Sequence, residues 1–310
     1  MKTRFTPFSI ISIFILFSIF LAACQGVPAA PSGQPLNVLA VESFLADITR
    51  NIAGTRLNVD SLIPTGLDPH AFEPAPADVA RIASAQVLII NGAGLEEWLQ
   101  KTLDNAGGQH QVITASTGLS SRNPTPGEPL DTAHPGDPHF WLDPLNAVRY
   151  VENIRDGLIQ SDPAGRDTFT ANAADYITKL RDLDTWVISQ VSQVPPARRL
   201  LVTNHESLGY FADHYGFKIV GVIIPSVSTD SSPSAAQFAA LVDAVRTAGA
   251  PAVFLETGAN PQLASQLAQE TGVRVVTGLY THSTTTPDGP APTYIDMIKA
   301  NVNAIVEALK

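Results

Sequence analysis

The chain reads as an α/β protein of two lobes, each a mostly parallel sheet flanked by helices, joined by one long rigid helix. Two observations give this. Short apolar runs bounded by turn residues alternate with segments of helical apolar spacing, first between Leu36 and Thr114 and again between Leu200 and Leu309. Between the two series, Phe169, Ala173, Tyr176, Leu180, Leu183, Val187, Val191 and Val194 recur at mostly alternating four- and three-residue steps, one apolar stripe on a single helix.

The elements follow in order. Lys2 and Arg4 precede an uncharged run from Phe8 to Ala23, the pattern of a secretory signal, so residues 1–23 are expected to be removed. Leu21, Ala22, Ala23 and Cys24 then resemble a bacterial lipobox, with Cys24 as the lipidated N-terminus and residues 24–35 as a Pro, Gly and Ser tether. Cys24 is the only cysteine, so ligands for a metal have to be His, Asp or Glu. Either cleavage or retention of the apolar run places the rest outside the cytoplasm.

The first lobe, 36–162, has strands predicted at Leu36–Val41, Leu57–Leu62, Val87–Asn91 and Gln111–Thr114, and helices at Phe44–Ala53, Pro76–Ala85 and Leu95–Asn105. Pro76 suits a first helical turn, where a missing amide costs nothing. The joining segment is 163–195. A helix over Ala164–Val194, stopped by Pro195 and Pro196, would span roughly 45 Å at about 1.5 Å per residue. An alternative use of its stripe is coiled-coil pairing with a partner. The second lobe, 196–310, repeats the alternation: strands at Leu200–Thr203, Phe217–Val222, Ala252–Glu256 and Val273–Val276, helices near Ser207–Tyr215, Ser234–Ala248, Pro261–Thr271 and Thr293–Leu309.

Of 310 residues 45% are hydrophobic and 15% charged, enough apolar material for one large domain or two ordinary ones. The formal net charge is −10, and loss of Lys2 and Arg4 changes 19 − 29 to 17 − 29, or −12. Such a surface repels phosphate backbones, which argues against nucleic acid as a partner, and is compatible with attracting cations.

Four of the seven histidines sit where strand ends give way to loops or helices. They are His70 in Asp68-Pro69-His70, His139 in Asp137-Pro138-His139, His205 after Thr203-Asn204, and His282 after Tyr280-Thr281. Ligand crevices in open α/β sheets lie outside the carboxyl ends of the strands, so two histidines from each lobe would meet between them. Imidazole suits a borderline divalent ion such as zinc, bound by about four ligands. Proline stiffens each Asp-Pro-His turn.

These residues, with Asn91–Leu99, the long helix, Thr203–Gly216 and the ending Thr293–Leu309, resemble the zinc and manganese solute-binding lipoproteins of bacterial ABC importers, over nearly all of Leu36–Lys310. The resemblance implies a two-lobed protein that captures a divalent metal ion, zinc first and manganese or iron as the alternative, and delivers it to a membrane permease. It implies metal ligands at His70, His139 and His205. Most members have Asp where His282 stands. Four neutral imidazoles leave the ion's double charge unbalanced in a dry cleft. Glu206, beside His205, and Glu256, at a strand end, are therefore candidates for a replacement ligand or for an acceptor that orients an imidazole.

The loop Arg122–Asp137 is too short to be a metal-scavenging segment; His134 is at most an auxiliary ligand there, and His110 and His214 are expected to be solvated. An adhesin-like surface role is a rival reading. A zinc hydrolase is another, but the sequence has no His-Glu-x-x-His helix, no Gly-x-Ser-x-Gly elbow and no phosphate loop, so no enzyme is expected. The whole is read as a monomer held to the membrane by its N-terminal lipid, facing a periplasm or the outer side of the cell membrane.

Overall fold

The computed structural model describes residues 36–123, 134 and 136–310. The expected signal, Cys24 and the tether lie outside the described residues, as do residues 124–133 and 135 of the Arg122–Asp137 loop.

Eight short strands are found among the described residues, in two sheets of four. In chain order the first sheet takes β1 (Asn37–Ala40), β2 (Asn58–Ser61), β3 (Val87–Ile90) and β4 (Gln111–Thr114). Its spatial order is β2-β1-β3-β4. The second takes β5 (Leu200–Thr203), β6 (Lys218–Val222), β7 (Ala252–Glu256) and β8 (Arg274–Leu279), in the order β6-β5-β7-β8. Every pairing is parallel. Each sheet thus changes direction of winding beside its first strand, and loops leaving the strand ends there open a crevice.

Helices α1 (Ser43–Ala53), α2 (Pro76–Ser84) and α3 (Leu99–Ala106) connect the first sheet. Helices α4 (Pro144–Ser161) and α5 (Arg166–Val191) cross between sheets. Helices α6 (Gly209–Tyr215), α7 (Ala235–Ala248), α8 (Gln262–Thr271) and α9 (Tyr294–Leu309) complete the second lobe. Local chemistry sets the boundaries. Asp143 and Ser234 accept backbone amides at the starts of α4 and α7, and Thr293 does the same for α9. Gly216, Gly249 and Gly272 end α6, α7 and α8 in the left-handed conformation.

Two helices differ from the sequence expectation. The long helix is α5, 26 residues and about 39 Å, not Ala164–Val194. A 3₁₀ turn at Pro163–Gly165 precedes it, and its cap at Ser192 leaves Val194 buried beyond its end. Helix α3 begins at Leu99 and not at Leu95. Gly92, Ala93 and Gly94 all have positive φ, and Glu96 turns back to accept the amides of Asn91 (2.6 Å) and Gly92 (3.0 Å), so Leu95–Trp98 closes a turn before the helix begins.

The stripe on α5 is covered from within the chain. Phe169, Ala173, Tyr176, Leu180, Leu183, Val187 and Val191 are buried in one continuous core with Phe44 and Ile48 of α1, Tyr150 and Ile154 of α4, and Met297 and Val302 of α9. That core absorbs the face a coiled-coil partner would have needed. Helix α9 also returns the chain to the first lobe: the Tyr294 amide donates to Asp47 (2.8 Å) and its hydroxyl to the Trp141 carbonyl (2.6 Å).

Candidate metal centre

The two Asp-Pro-His turns are built alike. Asp68 accepts the His70 amide and Asp137 the His139 amide, both at 2.9 Å, so each carboxylate folds back over its own proline and aims the histidine that follows. The proline carbonyls are held too, Pro69 by the Trp98 indole (2.8 Å) and Pro138 by the Asn91 amide (3.1 Å). In the second lobe, His205 leaves β5 in a tight turn, its carbonyl accepting from Thr203 Oγ1 (2.8 Å) and the Ser207 amide (2.9 Å). His282 leaves β8 after Thr281, whose carbonyl accepts from the Trp141 indole (2.7 Å). That bond crosses between lobes.

These four loops bring His70, His139, His205 and His282 together, with one nitrogen of each inside a group no wider than 4.8 Å. From His139 Nε2, the Nε2 atoms of His70, His205 and His282 lie at 3.2, 3.2 and 3.4 Å. All four side chains are buried.

The opposite edges of three of the rings, those of His139, His205 and His282, face carboxylates. His139 Nδ1 is 2.9 Å from Asp137 Oδ1. His205 Nδ1 is 2.7 Å from Glu256 Oε1, at an angle short of an ideal hydrogen bond, and His282 Nδ1 is 3.7 Å from Glu256 Oε2. A carboxylate on Nδ1 keeps the proton there and leaves the Nε2 lone pair free. Lone pairs then converge on one point, an arrangement that repels itself unless a cation sits between them.

Protonation follows the same geometry. Burial, reinforced by the neighbouring imidazoles, holds His139 well below the ordinary histidine range and pushes His70 down to about 2. Burial also lowers His282. On His205 burial acts in the same sense, but Glu256 beside it wins and its pKa is raised. Burial works to raise Glu256, yet the attraction of His205 holds it lowered. Burial pushes Asp137 up to about 7.

Of the two glutamates singled out in the sequence, the structure brings only Glu256 to the imidazoles. Glu206 lines a separate small cavity with Arg122 and Asp137 and is not among the converging ligands. The reason is strand alternation broken by the turn: the Thr203–Ser207 loop buries His205 toward the cleft, so its neighbour points away. His134 also stands outside the group, 3.6 Å from Glu97. His214 is not simply solvated. It joins α6 to Asp143 at the start of α4 (2.9 Å) and to Asp184 on α5 (3.5 Å). His110 faces the Ala85 carbonyl (2.8 Å). Sequence reasoning missed the aiming role of Asp68 and Asp137, for which the repeated Asp-Pro-His was the available signal.

A two-lobed α/β fold with a buried four-imidazole cluster between the lobes defines a class of extracytoplasmic metal-binding proteins, and comparison with known proteins agrees. Residues 38–308 match the family model for the zinc-uptake complex component A, periplasmic. The manganese-binding lipoprotein MntA of Halalkalibacterium halodurans is 34% identical over 299 residues, covering 96% of this chain and 97% of that protein. The iron-binding protein YfeA of Yersinia pestis is 31% identical, covering 94% and 93%. The periplasmic zinc binding protein TroA of Treponema pallidum superposes with a TM-score of 0.80 at 27% identity, covering 89% of this chain and 99% of that one. The chain belongs to the zinc-uptake complex component A family, whose members are substrate-binding components of metal ABC transporters and not enzymes.

Proposed function

We propose that this protein captures zinc with the Nε2 atoms of His70, His139, His205 and His282 and hands it to an importer's membrane permease. The observation that carries the reading is the spacing of the nitrogens. Four nitrogens about 2.0–2.1 Å from a tetrahedral zinc stand about 3.3–3.4 Å apart, against 3.2, 3.2 and 3.4 Å for the three pairs that include His139 and no more than 4.8 Å for the rest. Manganese favours oxygen ligands and higher coordination, which an all-imidazole group does not offer. Glu256 supplies negative charge one ring away, next to both second-lobe histidines, and so stands in for a carboxylate ligand. Glu206 has no part in the shell.

The reading extends to the rest of the chain. Residues 1–23 direct export, Cys24 carries the lipid, and residues 24–35 tether a monomer on the outer side of the membrane. Lobes 36–162 and 196–310 close over the ion while the segment 163–195 limits their movement. The permease distinguishes the loaded form, because a ligand shifts a conformational equilibrium only through differential affinity. Manganese or iron is the second reading, favoured by the relatives named for those metals.

The test is elemental analysis of the chain lacking its first 24 residues, stripped and reloaded under competing zinc and manganese, beside its His282→Ala variant. One zinc per chain, weakened by the substitution, is expected. Stoichiometric manganese, or zinc indifferent to His282, would overturn the assignment.

A further inference from the structure

Beside the imidazole cluster the lobes border a partly open cavity of about 830 Å³. A bare ion has no use for such a volume, which falls in the range of about 300–1,000 Å³ that small organic ligands occupy. Of the four histidines only His282 lines it. His70, His139 and His205 sit behind, so whatever stands in the cavity meets the cluster at His282.

The lining has a definite chemistry. Asp68, Glu73 and Glu256 face it, and among the described residues no Lys or Arg does. Asn204 also lines it; this residue is only 6% exposed, and its side-chain amide makes no hydrogen bond to any described residue. The part of Asn204 left exposed opens on the cavity, where its amide can bind what the cavity holds. An amide offers a donor and an acceptor together, matching a carboxylate and an amine on one small molecule. The three acids disfavour an anionic complex and accept a neutral or cationic one.

We propose that this cavity receives the metal ion as a complex with a small amino-acid-type chelator, one that pairs an amine or imidazole nitrogen with a carboxylate, and that the ion passes to the cluster by ligand exchange at His282. The inference rests on the ligand assignment above. In the exchange, a metal–nitrogen bond to the chelator breaks as the Nε2 lone pair of His282 takes its place, and the metal–carboxylate bond then breaks as a second imidazole of the cluster replaces it. The released chelator nitrogen takes a proton from water, and no electron changes hands. Asn204 holds the chelator's carboxylate during the exchange.

The test is the rate at which the metal-stripped full chain, in detergent, loads zinc, followed by the change in tryptophan fluorescence; of the three tryptophans Trp141 reports on the cluster, its ring centroid 5.2 Å from that of His139. Zinc is buffered to the same free concentration with L-histidine or with citrate. Histidine is expected to accelerate loading by at least about tenfold over citrate, the low end of what charge does to association rates, with a rate that saturates in the zinc–histidine complex. Asn204→Leu is expected to abolish the acceleration. Ala259→Leu, which fills cavity space from another lining position without adding a fluorophore, provides the same reading should Asn204→Leu fail to fold. Loading that follows free zinc alone in both buffers, equal acceleration by citrate, or full acceleration in both folded variants would overturn the proposal. A chain that binds no zinc at equilibrium from either buffer would instead overturn the ligand assignment on which it rests.

Discussion

Replacing Glu256 by Gln keeps the shape of the side chain and an oxygen facing His205 Nδ1, and removes one negative charge. The carboxylate lies 2.7 Å from His205 Nδ1 and 3.7 Å from His282 Nδ1. Across an imidazole ring and one metal–nitrogen bond, the separation from the bound ion is about 6 Å. Between a divalent ion and a unit charge at an effective dielectric of about 20, Coulomb's law gives roughly 5–6 kcal/mol at that distance, an upper figure because the charge is already partly spent on His205. Loss of an outer hydrogen-bond partner of a metal ligand typically weakens affinity about 10–100-fold, or about 1.4–2.7 kcal/mol. We expect Glu256→Gln to lie at the strong end, roughly 100-fold, since one residue serves two imidazoles. Asp137→Asn, which serves His139 alone, should fall nearer tenfold. Calorimetric titration against a competing chelator measures both. The metal-loaded protein should also lose thermal stabilisation in step with affinity, because binding to the native state stabilises it by mass action. A Glu256→Gln affinity within about threefold of the parent would refute charge compensation by this residue, since the smallest expected loss is about tenfold.

Three further outcomes are expected. Because His205 alone of the four histidines has a raised pKa, its proton, held below that pKa, is the one a metal must displace. Zinc affinity should therefore weaken as pH falls through that range with a slope of about one proton, and calorimetry in buffers of different ionisation enthalpy that found three or four protons released would contradict the assignment. Glu42, 1% exposed at the start of α1, is raised well above the ordinary carboxyl range, by burial first and then by Glu96. A folded-state pKa raised above the unfolded one gives stability that is present in acid and lost as pH rises, so Glu42→Gln should be at least as stable as the parent at neutral pH, with a flatter dependence above the ordinary carboxyl range in urea unfolding. Gly157 in α4 faces Ile113, and a Cβ there would stand 2.4 Å from Cδ1 and 2.5 Å from Cγ1. Gly157→Ala gains about 1 kcal/mol of helix propensity but overpacks the core at a cost of about 1–3 kcal/mol, so the variant should melt lower than the parent.

Parts of this protein are legible in its sequence because their causes are local. Strands Gln111–Thr114, Leu200–Thr203 and Ala252–Glu256 match their apolar runs residue for residue, since turn or cap residues bound each run and leave no other register. The stripe on α5 could be read because a helix covered on one side must repeat near 3.6 residues. Each of the four histidines could be singled out by its place after a strand or in an Asp-Pro turn. The sequence failed where competing interactions came from elsewhere in the fold. Nothing local shows that Glu96 closes a turn onto Asn91 and Gly92 and so delays α3.

The choice between Glu206 and Glu256 was likewise not a sequence property. Both are acids at strand ends, and only the packing of β5 against β7 places Glu256 behind His205 while the Thr203–Ser207 turn carries Glu206 away. The sequence by itself determined two lobes, a spine and four imidazoles able to meet. The tertiary structure decided how closely they meet, which carboxylate balances them, and that only His282 faces the large cavity. Those are distances between segments separated by tens to hundreds of residues, and they depend on burial in a shared core that no local pattern encodes.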